Sequence, residues 1–448
     1  MASPIVNIFK IPELRRRIIF TLIILIIYRI GAHIPIPGIN VEALKAYFEQ
    51  ASKGAAGGLL DFFDLFAGGA LKRFTIFALG IMPYISASII MQLLNVVIPA
   101  LERLSKEGPE GHKKINQYTR YGTVLLCTIQ SLGLTFWMKS MSSSKGTVVP
   151  KDSGIEFIII AVIAITTGTM VLMWLGEMIT ERGIGNGISL LIFAGIVVRV
   201  PSAIMDTLNR IVTRSDPIIG IILIGLFLLV IAASILLTLG IRKIPVQYGK
   251  RIVGRRMVQM KSQSIPLRVN AAGVIPIIFA SSVILFPAQI SNMIGGSSEY
   301  AILAKIQYWL SPGQVLYMIF YALLIIFFCY FYTAIQFNPV DIAENLKKYG
   351  GFIPGIRPGK NTSDYIMWLL NRVTLSGSIF LALIAIVPDF IMRIWPEEVS
   401  PEMAYLFGGT SLLIIVGVAL DTLKQIESQL IMRHYDGFIK KGRVRSRH

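Results

Sequence analysis

Apolar residues fill most of this chain, in runs that approach the length of a membrane-spanning helix. The ~30 Å hydrocarbon core of a bilayer is crossed by about 20 consecutive apolar residues in a helix. Ten runs come close to that length: 18–34, 74–99, 121–138, 155–175, 188–204, 218–239, 273–290, 315–335, 375–390 and 407–420. The pattern therefore predicts an all-α, polytopic membrane protein with ten crossings.

The stretch 57–94 departs from this regular pattern. Its apolar piece at 59–66 is too short to cross a bilayer, and two glycines and two charged residues separate it from the second full-length run. A half-length helix beside a full one is typical of backbone that lines a water-filled cavity. We therefore expect the centre of function in this stretch. In the helix that follows, Ile81 and Ile85 share one face, although their spacing alone indicates ordinary packing residues.

The composition supports the membrane assignment. Of the 448 residues, 54% are hydrophobic and only 15% are charged, whereas soluble domains carry roughly a quarter of charged residues. The arginines at 15–17 before the first run could also indicate a cleavable signal peptide, but no small-x-small cleavage site follows them. We therefore predict a retained first helix.

The positive charge lies on one side of the predicted membrane. When alternate connections are assigned to opposite faces, one face holds 30 of the 43 lysines and arginines and 12 of the 25 acidic residues. The whole net charge of +18 thus belongs to that face, which the positive-inside rule makes cytoplasmic, with both termini inside. Ten crossings also divide into two halves of five, which would have opposite orientations in the membrane.

Two long connections on the basic face are candidate docking surfaces. Residues 241–268 carry eight basic and no acidic residues around a Gly-Arg-Arg centre, and the alternation of their apolar residues predicts a hairpin that projects into the cytosol. Such a cluster can bind anionic lipid, RNA phosphate or an acidic protein surface, or it can simply orient the protein. In the second connection, 336–372, glycines and prolines hold Arg357 in a turn.

The sequence offers no candidate catalytic group. It has no nucleophile-base arrangement, no HExxH motif and no Cys/His metal spacing. No acidic or basic residue lies at the centre of a predicted span, where ion-coupled transporters usually need one. These absences argue against an enzyme and a cofactor. They argue more weakly against a secondary transporter, which the broken helix would otherwise suit.

Nine motifs, distributed from the first helix to the tail, resemble those of one known family. They are YRIGAHIPIPGI, FALGIMPYISASII, INQYTRYGT, WLGEMITERGIGNGISLLIFAGI, RKIPVQYGKRIVGRR, VNAAGVIPIIFASS, FNPVDIAENLKKYGGFIPGIRPG, FGGTSLLIIVGVALDT and QIESQLIMRHYDGF. By these motifs the chain resembles the SecY family, the channel subunits of the protein-export translocon. The resemblance implies two inverted five-helix halves, 1–215 and 216–448, that form an hourglass channel.

The family's constriction is a ring of isoleucines, and a half-helix called the plug closes it from outside. Carried over by motif, the pore ring comprises Ile81, Ile85, Ile188, Ile192, Ile278 and Ile414. The plug would occupy about 59–73, with the apolar residues Leu59, Leu60, Phe62, Phe63, Leu65 and Phe66. An apolar collar suits this task because it fits around any passing side chain and resists ion flow by dewetting when it is narrow.

The resemblance also implies a lateral gate between the second and third spans on one side and the seventh and eighth on the other. Its candidate residues are Ser86, Ile89, Gln92, Asn270, Ser282 and Phe286. A seam that must part is better joined by a few side-chain hydrogen bonds of ~0.6 kcal/mol each than by tight packing. A signal sequence could then pass from the channel into lipid.

Partner proteins would supply the energy, in keeping with the lack of a nucleotide-binding motif. The resemblance implies that Arg255, Arg256 and Arg357 dock the SecA ATPase and the ribosome, including its rRNA phosphates. It also implies two small membrane subunits, SecE and SecG. Signal sequences, nascent polypeptides and anionic lipids complete the expected partners.

Overall fold

The fold is built mainly of helices. The computed structural model describes residues 11–51, 64, 66–143, 146–150, 154–214, 217–248, 251–253, 256–258, 263–293, 309, 313–395, 399, 404–405 and 409–441. The helices discussed below are α1 Pro12–Gly31, α2 Val41–Ala51, α3 Met82–Val97, α4 Pro99–Lys106, α5 Pro109–Ser140, α6 Ile155–Arg182, α7 Gly187–Val197, α8 Val200–Arg214, α9 Pro217–Leu239, α10 Ile275–Met293, α11 Val315–Gln336, α12 Pro339–Lys348, α13 Lys360–Ile394 and α14 Gly409–Lys441. The strands are β1 Ser142–Ser143, β2 Gly146–Thr147, β3 Ile241–Tyr248, β4 Arg251–Val253, β5 Arg256–Val258, β6 Gln263–Arg268 and β7 Gly351–Phe352.

Seven of the described helical stretches are long and apolar enough to cross a bilayer, and there are eight if α3 and α4, which are bent by 99° at their junction, form one span. The first predicted crossing corresponds to α1, which carries charges in its first and last turns. The seventh corresponds to α10, whose apolar stretch Ile275–Ile284 is short. The chain is thus a multi-pass membrane protein, and the count of ten crossings stays a prediction.

The second crossing begins later than its apolar run. Residues 67–81 form turns that are interrupted by an isolated β-bridge between Thr75 and Pro35, and α3 begins at Met82. Phe74, with φ of 45°, and Gly80, with φ of 56°, adopt left-handed backbone that a helix cannot continue. Pro83 therefore lies in the first turn of α3, where its missing N–H costs no hydrogen bond.

The two basic connections meet in one small sheet. β3 pairs antiparallel with β6, which confirms the predicted hairpin, and β4 pairs with β5 nearer its tip. β3 also pairs with β7 of the second connection, with Tyr248 opposite Gly351. Ile244 and Val246 of β3 pack with Leu346 of α12 and Ile366 of α13 in a separate apolar cluster. The connections therefore form one unit, which the sequence did not predict.

Helices that belong to different predicted halves and lie far apart in the sequence contact each other. α10 packs against α3 and α5, and α14 packs against α7. Most of the buried apolar side chains of these helices belong to one continuous cluster. The predicted site residues on α3, α7, α10 and α14 are therefore brought to the same part of the molecule.

Candidate functional site

Residues 66–81, here called the turn segment, run through the interior of the fold. Phe74 and Thr75 have no exposed surface. The exit of α1 holds this part of the chain, because the Ile36 N–H donates to the Phe74 carbonyl at 3.1 Å and the Ile76 N–H donates to the Ile34 carbonyl at 3.2 Å. These two bonds pair irregular buried backbone with the exit of α1, and buried backbone in a membrane protein requires such partners.

Polar contacts connect the turn segment and the nearby Asp64 to α1 and to the turn after α7. Asp64 is fully buried and forms an ion pair with Arg199, which follows α7. Its other carboxylate oxygen accepts from the Lys72 N–H at 3.0 Å. Arg29 of α1 donates from Nη1 to the Gly68 carbonyl at 2.9 Å. The sequence placed Arg29 near the end of a span but gave no sign that Arg29, Asp64 and Arg199 meet.

Glycines in the surrounding helices leave room for the turn segment. A Cβ at Gly168 of α6 would lie 2.0 Å from the Ile76 carbonyl oxygen, and a Cβ at Gly31 of α1 would lie 2.2 Å from Phe77 Cε2. The Phe77 ring stacks on Tyr28, with centroids 6.1 Å apart. The small size of these glycines is therefore required by what lies opposite them.

The six predicted pore-ring residues lie in or against one apolar cluster. Five are buried, with at most 6% of their surface exposed: Ile81, Ile85, Ile192, Ile278 and Ile414. Ile188 is half-buried and packs against the same cluster, which also includes Phe66. The remaining plug candidates Leu59, Leu60, Phe62, Phe63 and Leu65 lie outside the described residues.

Two cavities lie at opposite ends of α7. The polar cavity, of about 470 Å³, is lined by Asn186 and Ser189 at the start of α7, together with Asn270, Gln336 and Gln425. The arginine cavity, of about 330 Å³, lies at the end of α7 and is lined by Arg29, Gly68, Gly69, Arg73, Val198, Arg199, Ser202 and Ala203. Between the two ends of α7, the apolar residues Leu190, Leu191 and Ile192 are buried.

Five of the six predicted lateral gate residues lie on α3 and α10, two helices that pack against each other. Ile89 and Ser282 are buried, and Ser86 and Gln92 are half-buried. Ser282 donates to the Ile278 carbonyl at 2.8 Å, and Gln92 donates to Ser88 at 3.4 Å. These bonds stay within their own helices, so they do not join the two sides of the seam. Asn270 lines the polar cavity, and the side chain of Phe286 lies outside the described part of the chain.

Two of the three predicted docking arginines, Arg256 and Arg357, lie in the part of the chain that the structure describes. Arg357 is exposed, and its carbonyl accepts from the buried Thr362 hydroxyl at 2.9 Å. Arg256 belongs to β5, where its backbone is in register with Val253 of β4, and Arg255 lies outside the described residues. Because β3 pairs with β7, the hairpin and the Arg357 turn are linked through the backbone.

Sequence reasoning missed a buried carboxylate near the end of α13. Asp389 is 1% exposed and accepts from the Gly313 N–H at 3.2 Å and from the Tyr405 hydroxyl at 3.4 Å. Burial, together with Asp389, raises the pKa of Tyr405 well above its usual value. Within the described residues no group of three His, Cys, Asp or Glu side chains is placed to hold a metal ion.

Comparisons with known proteins place this geometry in a family. The SecY family model matches residues 75–423. The protein translocase subunit SecY of Escherichia coli (strain K12) is 46% identical over 436 residues, which are 97% of this chain and 95% of the relative. The corresponding protein of Aquifex aeolicus (strain VF5) is 44% identical over 443 residues, which are 98% of this chain and 100% of that one.

Solved structures share the fold. A structure described as that of a protein-conducting channel matches with a TM-score of 0.63 at 21% identity and covers 96% of this chain and 98% of its own. A structure from work on how the plug domain of SecY stabilises the closed channel matches with a TM-score of 0.64 at 20% identity, over 96% and 97% of the two chains. The family model and the identities together confirm the resemblance seen in the motifs: the chain belongs to the SecY family.

Proposed function

We propose that this chain is the central channel subunit of a protein translocon. It passes unfolded secretory proteins across the cytoplasmic membrane and releases transmembrane segments sideways into the lipid. The relatives named protein translocase subunit SecY, which match nearly the whole chain at 44–46% identity, support this function. A channel of this kind performs no covalent chemistry and is not an enzyme.

The observation that carries the proposal is the position of the turn segment. It lies beside the apolar cluster that contains the pore-ring residues, and at the arginine cavity it borders polar space. In the proposed mechanism the plug at about 59–73 closes the channel from the outer side. The described polar contacts of this region include the Asp64–Arg199 ion pair and the hydrogen bond from Arg29 to the Gly68 carbonyl, and these contacts must break when a translocating chain displaces the plug.

The pore ring supplies the seal around a moving chain. Isoleucine side chains have no fixed dipoles, so the ring fits polar and apolar side chains alike and prevents a continuous water column when it is narrow. Its members come from the end of the turn segment, which holds Ile81, and from α3, α7, α10 and α14. A collar drawn from both halves, 1–215 and 216–448, can widen when the halves move apart.

The lateral gate opens between α3 and α5 on one side and α10 and α11 on the other. The described hydrogen bonds of Gln92 and Ser282 stay within their own helices, so opening the seam does not require breaking them. Apolar contacts at the seam can be exchanged for lipid or for the apolar core of a signal sequence at little cost, because lipid tails are as apolar as the helices.

Energy comes from partners that dock on the basic face. The SecA ATPase and the ribosome contact the unit formed by the hairpin and the Arg357 turn, and SecE and SecG complete the channel. Signal sequences and nascent polypeptides are the substrates, and anionic lipids contact the basic residues. The excess of basic residues supports a cytoplasmic location for this face and for both termini.

Deletion of residues 59–66 tests the proposal. The channel complex would be reconstituted in planar bilayers, and its ion conductance recorded without a translocating chain. We expect a steady leak from the deleted protein and almost none from the wild type. Equal resting conductances would contradict the assignment of this segment as the plug.

A further inference from the structure

Three arginines surround the arginine cavity. Arg29 comes from α1, Arg73 from the turn segment and Arg199 from the turn after α7. The described lining contains no acidic side chain. Asp64, outside the lining, pairs with Arg199. The cavity therefore concentrates positive charge at the point where the turn segment meets the helices around it.

Arg73 supplies the second observation. Its Nη1 is buried and has no hydrogen-bond partner among the described residues. A buried charged donor without a partner is costly, and a bound ion or water is one of the explanations for such a donor in a native protein. Arg29 already donates one bond to the Gly68 carbonyl, which leaves the other N–H groups of its guanidinium for a further acceptor.

The size and donor geometry of the cavity select the ligand class. A volume of about 330 Å³ lies at the lower end of the ~300–1,000 Å³ range of ligand sites. Guanidinium groups recognise oxyanions through pairs of parallel N–H···O bonds, and a phosphate group offers enough oxygens for several arginines. The Ser202 side chain adds a neutral hydrogen-bonding group to the lining.

We propose that the arginine cavity binds an oxyanion of the phosphate class, which bridges Arg73 of the turn segment to Arg29 of α1 and to Arg199 in the turn after α7. This site goes beyond the proposed function, since its occupancy can be measured without transport. Inorganic phosphate and the headgroup of an anionic phospholipid offer the same chemistry, and the experiment below separates them.

The test measures ligand-dependent thermal stability of the full-length protein, purified in its complex. Inorganic phosphate is titrated into a phosphate-free detergent buffer, and nanodiscs of phosphatidylcholine are compared with and without phosphatidylglycerol. We expect a saturable rise in Tm with phosphate, and an apparent affinity at least tenfold weaker for Arg73→Gln. Arg393→Gln, an exposed arginine in the last turn of α13, makes the same charge change and should leave the affinity unchanged.

Each outcome decides the proposal. A rise in Tm that depends on Arg73 but occurs only with phosphatidylglycerol identifies the ligand as a lipid headgroup. The proposed site is overturned if neither phosphate nor phosphatidylglycerol raises the Tm of the wild type. It is also overturned if the rise in Tm is the same for Arg73→Gln and the wild type. If Arg73→Gln does not accumulate, Arg73→Lys keeps the charge without the guanidinium fork and should bind several-fold more weakly, whereas unchanged affinity would also overturn it. None of these readouts depends on conductance or crosslinking, so the site and the channel function fail separately.

Discussion

The buried Asp64 carboxylate pairs with the Arg199 guanidinium, 135 positions further along the chain. Asp64 has no exposed surface, and the Arg199 side chain is 15% exposed. Asp64 also accepts from the Lys72 N–H and, through its own carbonyl, from the Gly69 N–H at 3.0 Å. This single residue thus both shapes the turn segment and connects it to the end of α7.

Removing the charge of Asp64 should loosen the plug region. Removing one partner of a buried ion pair lowers the stability of a protein by about 3–5 kcal/mol, because the remaining charge is left uncompensated. We expect Asp64→Asn to raise resting ion conductance in planar bilayers. Glu177→Gln is the matched control, since it breaks the more exposed Arg120–Glu177 pair, which is worth about 0–1 kcal/mol. Similar conductances of the two variants would argue against a sealing role for Asp64.

A methyl group on Gly168 should displace the turn segment. The added Cβ would lie 2.0 Å from the Ile76 carbonyl oxygen, and backbone at this distance must move. Gly168→Ala should therefore lower the Tm of the complex and raise its resting conductance. Gly225→Ala adds the same methyl in α9, where nothing lies within 4 Å, and should leave both quantities unchanged. A Gly168→Ala protein with wild-type Tm and conductance would refute the packing argument.

A polar side chain in the pore ring should admit water. Ile414 is 1% exposed in the apolar cluster, and an amide buried there without a partner costs about 1–3 kcal/mol. We expect Ile414→Asn to recruit water and to increase ion leak during and between translocation events. Ile414→Leu keeps volume and polarity and should conduct like the wild type. If single-channel recording finds both variants equally tight, Ile414 does not belong to the constriction.

Reversing the charge of Arg357 should uncouple the channel from its motor. Arg357→Glu is expected to abolish SecA-driven export into vesicles while the protein still inserts into membranes. Lys360→Glu changes an exposed charge three positions away and should reduce export much less. Thr362→Val keeps the arginine but removes the hydroxyl bond to its carbonyl, which is worth about 0.5–1.5 kcal/mol. We expect Thr362→Val to export at a rate between those of the wild type and Arg357→Glu. Normal export by Arg357→Glu would exclude the docking role of Arg357.

The membrane class and the hairpin could be predicted from the sequence, because both depend on local periodicity. Apolar run lengths indicated the spans, and alternation in 241–268 indicated the pairing of β3 with β6. The pairing of β3 with β7 was not predictable, because a two-residue strand at Gly351 and Phe352 shows no alternation.

The contacts around the turn segment could not be predicted from the sequence either, because they join residues that lie far apart along the chain. Arg29 and Gly68 lie 39 positions apart, and Gly31 and Gly168 look like ordinary glycines in apolar runs until Phe77 and Ile76 are seen opposite them. The pore-ring role of Ile81 came from motif resemblance alone, since its spacing and its burial are those of any core residue.

The most direct test of the account is a crosslink between the pore ring and a chain in transit. Native Cys127 and Cys329 are buried and would be replaced by alanine, after which Ile81→Cys is combined with a stalled secretory chain that carries one cysteine. Leu125→Cys, at a side chain 64% exposed on α5, serves as the control on the outer surface of the helices. The account predicts a disulfide-linked product with Ile81→Cys and none with Leu125→Cys. A stalled chain that crosslinks to neither position, or to Leu125→Cys alone, would contradict a protein-conducting path through the isoleucines.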